Sequence, residues 1–328
     1  MINYFKILDL AIRRAYVDYR EFKKQSTENA AKDIRFYNWS SNAYGNWFRK
    51  FTINRQIITK GQCINFCSVA GYRGTLKHIK EGPVVFFPVE NLHDDRMNYA
   101  DHLMYDRDRI ADLALGFDYF VEPDYMRFPL WPLYVFDPEA SDEQIIKRCA
   151  ELRFPNVSNK SRFASLVARF DWHGTRSQIY NAIAHVDKIS CPSGVLHNDD
   201  TLVTEFQDDK AAYLNQFFFN ICPENSDSYG YVTEKVFEAI ASGCIPIYWG
   251  SYNNPEPTIL NKDAIIFWDM HGDNTAVIKQ IEELYTHPAI LKEFIEQPRL
   301  LPNADEYILD MFHELESKLR MVINKAYK

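Results

Sequence analysis

The sequence predicts an α/β protein made of two Rossmann-like domains that face a cleft, and three observations lead to this fold class. Predicted strands and helices alternate along most of the 328 residues, as in an open sheet covered by helices. Some strands are continuous apolar runs, such as PVVFFPV at 83–89, which are typical of buried parallel strands. The chain is also too long for one core, at roughly 150 residues per domain.

The first half of the chain is predicted to carry a helix and three strands. We expect the helix up to about residue 30 and strands at 33–38, 64–69 and 83–89. The proline-rich stretch 129–138 cannot be a regular helix and marks the exit from this half. After a helix at 142–152 we place the boundary, with 1–155 as the first domain and 156–328 as the second.

The second half repeats the alternation. We predict strands at 162–168, at the end of 213–222, at 244–249 and at 264–268. The predicted helices are 175–185, 233–242, one capped by Asp273, one starting near Pro288 and a long amphipathic one from about 305. Ligands of such sheets bind outside the carboxyl ends of the strands, so functional residues are expected just after strands.

The composition disfavours several classes of function. With 37 basic and 45 acidic residues the net charge is −8, whereas a general nucleic-acid-binding surface is basic. We find no apolar stretch near the ~20 residues of a membrane helix and no signal peptide, and expect a cytoplasmic protein. No P-loop, dinucleotide fingerprint or convincing metal-ligand spacing is present. The six cysteines are expected to be buried free thiols.

The most informative segment is 220–251, NICPENSDSYGYVTEKVFEAIASGCIPIYWGS. A strand ends near Cys222, a polar loop follows, and Thr233 is a good N-cap for a helix that stops at Gly243. The free N–H groups and the positive dipole end of such a helix suit a phosphate. Lys235 lies in the first turn, where its charge is unfavourable for the helix. The residues alone leave phosphate binding and a lysine that simply reaches solvent equally open.

This segment resembles the signature of the α-1,3-fucosyltransferases of glycosyltransferase family 10. In that family a Y-x-T-E-K turn opens a helix, and the next strand leads to a P-[IV]-x-x-G ending. VVFFPVEN at 84–91 resembles the family's strand that ends in G-E-N, with Val89 where glycine is usual. GFDYF and YMRFPLW, at 116–120 and 125–131, and the region around 269–291 resemble further family segments. The resemblance extends from about residue 33 to about residue 297.

The resemblance implies a GT-B architecture that transfers L-fucose from GDP-β-L-fucose with inversion, with the acceptor in the first domain and the donor in the second. It implies Glu90 as the base that takes the proton of the acceptor hydroxyl. Lys235 and the helix start would stabilise the departing GDP without a metal, so a divalent metal is expected to be at most stimulatory. The candidate donor-binding residues are Asn225, Tyr231, Glu234, Lys235, Glu224, Arg176 and His197.

His197 stands where some bacterial relatives place a phosphate-binding arginine, and Arg176 or Arg169 would have to compensate. We expect α-1,3 transfer to N-acetylglucosamine in an oligosaccharide or lipopolysaccharide, such as an O-antigen of a bacterial surface. Two alternatives stay open: another GDP-6-deoxyhexose as donor, or an inactive glycan-binding protein. Glu234 and Glu238 are interpreted as neighbours on a polar helix face rather than as a glycosidase pair.

The last helix carries several basic residues, and two interpretations of them stay open. It could touch the surface of the inner membrane, or it could be a plain amphipathic packing helix. The basic residues concerned are Lys318, Arg320, Lys325 and Lys328.

Overall fold

A computed structural model describes residues 4–39, 42–71, 73–94 and 111–328. The chain divides into two compact units. The N-terminal unit comprises Met1–Phe128, Asp137–Glu139 and Met311–Lys328, and the C-terminal unit comprises Pro129–Phe136 and Ala140–Asp310. This division differs from the predicted boundary at 155, because residues 140–155 belong to the second unit and the chain end, 311–328, to the first.

The N-terminal unit contains a five-stranded parallel sheet with the order β1-β2-β3-β4-β5. Its elements are α1 (Tyr4–Asn29), β1 (Ile34–Tyr37), α2 (Asn42–Asn54), β2 (Ile64–Cys67), β3 (Val84–Phe86), β4 (Leu113–Gly116) and β5 (Tyr125–Arg127). The three predicted strands are confirmed, though each is shorter than its apolar run. Phe36 pairs with Phe66, and Phe66 with Val85, so aromatic side chains meet across the sheet and fill the core of this unit.

The C-terminal unit contains a second parallel sheet of five strands, with the order β10-β9-β8-β6-β7. Its strands are β6 (Arg162–Ser165), β7 (Ile189–Ser190), β8 (Phe217–Ile221), β9 (Ile245–Tyr248) and β10 (Ile266–Phe267). Its helices are α3 (Pro132–Val135), α4 (Asp142–Arg153), α5 (Thr175–Ile183), α6 (Thr201–Thr204), α7 (Lys210–Leu214), α8 (Glu234–Ala241), α9 (Thr275–Thr286) and α10 (Pro288–Glu296). The strands predicted in this half are confirmed, as are the helices at α4, α5, α8 and α10.

Two local predictions differ in detail. The proline-rich stretch contains one helical turn, α3, with Pro132 at its start, where a missing N–H costs no helical hydrogen bond. Asp273 does not cap α9, which begins two residues later with Asn274 at the N-cap position. The carboxylate of Asp273 instead accepts the N–H of Thr275 at 2.9 Å, and so shapes the turn before the helix.

The last helix, α11 (Ala304–Ala326), uses its basic residues within the chain. Arg320 donates to the carbonyl oxygens of Arg55 and Gln56, and Lys318 donates to the carbonyl oxygen of Pro123 at 3.0 Å. These contacts favour the packing interpretation of this helix. No helix in the described ranges combines the length and the apolar character that a bilayer crossing needs, and all six cysteines are buried and free, as predicted.

Candidate functional site

The C-terminal sheet has a topological switch point between β6 and β8. The chain moves from β6 outward to β7 on one side and then returns to β8 on the other side of β6. In open α/β sheets a crevice forms at such a point, outside the carboxyl ends of the two strands. The loops at this crevice are 166–174, which follows β6, and 222–233, which follows β8 and leads into α8.

Arg176 ties these two loops together. Its guanidinium donates to the carbonyl oxygen of Phe170 at 3.0 Å in the first loop. It also donates to the carbonyl oxygen of Pro223 at 2.9 Å and to Asn225 Oδ1 at 3.1 Å in the second loop. Burial lowers the pKa of Arg176, although nearby carboxylates oppose this shift. Arg176 is only 4% exposed. Its guanidinium donates to protein groups, and one of these hydrogen bonds holds Asn225 in place.

The start of α8 is not capped in the usual way. Thr233 is the N-cap residue, as predicted, but its side chain makes no capping hydrogen bond to the helix. Its hydroxyl donates to Glu224 Oε2 at 2.6 Å instead. The hydroxyl is therefore turned away from the first-turn N–H groups, which keep the capacity of a helix start to meet an anion.

Glu224 is the centre of a buried group that we call the Glu224 cluster: Glu224, Thr233, Lys235 and Tyr248. Besides the Thr233 hydroxyl, its carboxylate accepts the N–H of Thr233 at 2.8 Å and the ammonium of Lys235 at 3.1 Å. The hydroxyl of Tyr248 lies 3.4 Å from Glu224 Oε1. The side chain of Glu224 is 0% exposed. The sequence predicts Glu224 as a residue that binds the sugar donor. In the structure its buried carboxylate binds Thr233 and Lys235 at the start of α8.

Lys235 is already paired within this cluster. Its ammonium lies 3.1 Å from Glu224 Oε2 and 3.2 Å from Glu234 Oε1, and it donates to Thr233 Oγ1 at 2.7 Å. Two of the three N–H donors of the ammonium thus bind Glu224 and Thr233, and Glu234 adds an ion pair. Burial lowers the pKa of Lys235, but the charges of Glu224 and Glu234 outweigh burial and raise it. Lys235 therefore does not simply reach solvent: its charge at the helix start is compensated by two carboxylates.

Two other acidic residues on α8 have distinct partners. Burial raises the pKa of Glu234, but Lys235 and Lys210 outweigh it and the net shift is downward. Its side chain is 19% exposed, which leaves it reachable from outside the cluster. Glu238 Oε2 lies 2.5 Å from the ammonium of Lys210. Burial raises the pKa of Glu238, and Lys210 opposes this.

The remaining donor candidates occupy different environments. Tyr231 lies in the loop before α8 and is 3% exposed; its N–H donates to the carbonyl oxygen of Ser228 at 3.0 Å. His197 lies on the loop after β7, and its Nε2 is 3.1 Å from Asp200 Oδ1. The side chain of His197 is 49% exposed. The structure thus gathers Arg176, Asn225 and the Glu224 cluster at the switch point, while His197 follows the edge strand.

Glu90 lies in the N-terminal unit, on the loop that follows β3. It is partly buried, as a residue just beyond an apolar strand is expected to be. Its neighbour Asn91 is 3% exposed and accepts the N–H of His93 at 3.0 Å. His93 Nε2 lies 2.8 Å from Asp118 Oδ1 on the loop after β4. Sequence reasoning missed this histidine–aspartate pair, since 25 residues separate its members and no motif links them.

The site at the start of α8 lies in a segment of the chain that is similar to known proteins. Residues 157–298 match the family model described as glycosyltransferase family 10 (fucosyltransferase), C-terminal part. Over 220 residues the chain is 31% identical to the alpha-(1,3)-fucosyltransferase FucT of Helicobacter pylori. The chain is therefore similar to the family 10 fucosyltransferases. The match covers 58% of this chain and 44% of the Helicobacter protein, so it spans less than half of that relative's length.

Solved structures show the fold of this chain, which proteins described as α1,3-fucosyltransferases share. A structure described as an α1,3-fucosyltransferase aligns with a TM-score of 0.57 at 20% identity, over 87% of this chain and 89% of that one. Another, described as α1,3-fucosyltransferase with GDP-fucose, aligns with a TM-score of 0.56 at 21% identity, over 86% and 89%. The predicted fold class, α/β of the GT-B type, is confirmed.

Proposed function

We propose that this protein is a glycosyltransferase that moves L-fucose from GDP-fucose to a hydroxyl of a glycan in α-1,3 linkage. The observation that carries the proposal is the Glu224 cluster at the start of α8, because it lies at the switch point of the sheet. It also lies within residues 157–298, the part of the chain that matches the family model. Similarity to the family supports the class of reaction, and the geometry of the cluster supports the parts that we propose for these residues.

The diphosphate of the donor would bind at the start of α8. First-turn N–H groups and the helix dipole attract it, and Asn225, held by Arg176, lies in the adjoining loop. Lys235 can exchange the partly exposed oxygen of Glu234 for a phosphate oxygen while it keeps buried Glu224 as its counter-charge. Glu234 is then released to accept a hydrogen bond from a sugar hydroxyl. Because this arrangement already supplies dipoles and a cation, we propose that a divalent metal is at most stimulatory.

The transfer itself makes one bond and breaks one. The acceptor oxygen attacks the anomeric carbon, the bond from that carbon to the phosphate oxygen breaks, and GDP leaves with the electron pair. Attack opposite the leaving group converts a β-linked donor into an α-fucoside. Glu90 is proposed as the base that draws the proton from the acceptor hydroxyl. The acceptor is proposed to be N-acetylglucosamine in an oligosaccharide or lipopolysaccharide of a bacterial surface.

A transfer assay with separate donor and base arms tests this function. Wild-type protein should transfer fucose from GDP-fucose to an N-acetylglucosamine-containing acceptor, and chelator should leave most of the rate. Glu90→Gln should lower kcat by about 100-fold or more, the lower end of general base contributions, while the Kd of GDP-fucose is unchanged. A variant that transfers at the wild-type rate would show that Glu90 is not the base.

Donor controls separate the alternatives. GDP-mannose, GDP-rhamnose and UDP-N-acetylglucosamine should give little transfer if fucose is the sugar moved. Faster turnover with another GDP-6-deoxyhexose would keep the fold and the site but reassign the donor. Failure to bind any guanine nucleotide would reject the donor site and favour an inactive glycan-binding protein.

A further inference from the structure

The N-terminal unit holds a histidine whose two ring nitrogens have different surroundings. His93 Nε2 is 2.8 Å from Asp118 Oδ1, so with an ionised aspartate the neutral ring carries its proton on Nε2. Among the residues that the structure describes, Nδ1 has no hydrogen-bond partner. The side chain is 39% exposed. Asp118 thus fixes the tautomer in which Nδ1 is a free proton acceptor.

Both members of this pair are held by further contacts. The N–H of His93 is bound by Asn91 Oδ1 at 3.0 Å, and its ring meets the Phe117 ring edge-on at 5.7 Å between centroids. The backbone carbonyl of Asp118 accepts the hydroxyl of Tyr125 at 2.8 Å. Asp118 itself is 9% exposed. The pair is therefore preorganised by buried groups of two neighbouring loops, unlike a chance surface contact.

The position of the His93–Asp118 pair in the fold links it to the proposed transfer reaction. His93 is three residues after Glu90 on the loop that follows β3, and Asp118 follows β4, the adjacent strand of the same sheet. We propose that His93, held by Asp118, is a proton relay residue of the transfer, and that Asp118 is its positioning residue. This inference rests on the proposed function. Glu90 draws the proton from the acceptor hydroxyl, and the proton passes on to His93 Nδ1 as the glycosidic bond forms and GDP leaves.

The ordinary pKa values of glutamate and histidine favour histidine as the group that holds the proton after the transfer. An ordinary glutamate has a pKa of about 4.3, so it holds a proton poorly near pH 7, whereas histidine at about 6.5 matches that pH. The hydrogen bond to Asp118 raises the pKa of His93, although burial opposes it. Among the described residues, Asp118 is the charged group acting on this ring from another element, and Glu90 and Asp94 flank it on its own loop.

The pH dependence of kcat separates a relay from a structural link. His93 must be neutral to accept a proton, so wild-type kcat should fall on the acid side with a pKa above the ordinary histidine value of about 6.5. His93→Gln should lower kcat by about 10-fold or more and abolish this acid limb, with the Kd of GDP-fucose unchanged.

Asp118→Asn should move the acid limb of kcat to lower pH, because the neutral amide no longer stabilises the imidazolium. His185→Gln removes another histidine–carboxylate pair, His185 with Glu282, and should change neither kcat nor the limb.

The outcomes are distinct. A His93→Gln protein that melts earlier but keeps kcat within about 3-fold and keeps the acid limb would overturn the relay and leave a structural link. A relay is equally overturned if Asp118→Asn leaves the limb where it was in a folded protein. Wild-type protein that transfers no sugar from any GDP-sugar would overturn the proposed function and the relay together, whereas loss of the relay alone leaves wild-type transfer intact.

Discussion

At the scale of single residues, the candidate site in the C-terminal unit is organised around one buried carboxylate. Glu224 has no exposed side-chain surface, yet it is matched by the N–H and hydroxyl of Thr233 and by the ammonium of Lys235. A buried charge is tolerated only when it is paired and hydrogen-bonded. The cluster therefore sets both the conformation of the loop before α8 and the position of Lys235.

Glu224→Gln tests this arrangement directly. The amide keeps the size of the side chain but leaves the Lys235 charge balanced by Glu234 alone, and breaking a buried pair costs about 3 kcal/mol. We expect a clearly lower Tm and at least 10-fold weaker GDP binding by calorimetry. Glu238→Gln removes the partly exposed pair with Lys210 on the same helix and should cost about 1 kcal/mol or less. Equal effects of the two substitutions would contradict a special role for Glu224.

The residue types of this site are readable from the sequence, but their pairing is not. The T-E-K turn and Glu90 lie after strands, where the sequence predicts them. The sequence shows Glu234 beside Lys235 but does not reveal the second counter-charge, because Glu224 lies eleven residues earlier in the chain. Only the fold brings that carboxylate under the helix start, and the same holds for His93 and Asp118. Linear spacing reports contacts within one element, whereas Glu224 and Lys235 join a loop to α8, and His93 and Asp118 join two loops.

At the scale of elements, the end of α8 depends on the glycine that is predicted to stop it. Gly243 has a φ of +70°, and a Cβ there would lie 2.4 Å from the carbonyl oxygen of Asn156. Lys160 also reaches the helix end, where its ammonium donates to the carbonyl oxygen of Ser242 at 2.5 Å. The turn that leads from α8 into β9 therefore combines a left-handed backbone with a close approach of another segment.

Two glycine substitutions separate these contributions. Gly174 has a similar φ of +74°, but a Cβ added there would meet no atom within 4 Å. Gly174→Ala should cost about 1 kcal/mol from backbone strain alone. Gly243→Ala adds the steric clash, and overpacking of this kind costs about 1–3 kcal/mol more. Thermal or urea unfolding should rank Gly243→Ala as the less stable protein, and equal stabilities would show that the Asn156 segment moves aside freely.

Strand prediction found the strands of both sheets except β4, β5 and β7. β7 contains two residues, Ile189–Ser190, and no long apolar run surrounds it. Two residues are too few for periodicity to separate a strand from a loop. The omission of β7 matters for function, because only its place beside β6 reveals the switch point in the C-terminal sheet. The motif thus gave the candidate residues, while the topology that explains their location needed the structure.

At the scale of the whole molecule, the last helix is divided between the two units. Residues up to Asp310 belong to the C-terminal unit and residues from Met311 to the N-terminal unit. Phe312 is buried among Trp47, Phe51 and Phe128, with ring centroids 6.0–6.3 Å apart. A boundary drawn from the sequence could not foresee this, because contacts between residues at opposite ends of the chain leave no local pattern. The chain end is therefore part of the N-terminal core.

Phe312→Ala should accordingly weaken the N-terminal unit selectively. Removing a buried phenylalanine ring costs about 4 kcal/mol, so amide hydrogen exchange in β1, β2 and α2 should accelerate while exchange in β8 and β9 stays slow. Binding of GDP, which we propose occurs at the start of α8, should keep its Kd. Met321→Ala is the matched control, since Met321 lies on the same helix and is 44% exposed, and it should leave exchange in both units nearly unchanged. Acceleration spread evenly over both sheets would mean that the two units unfold as one and share a single stability.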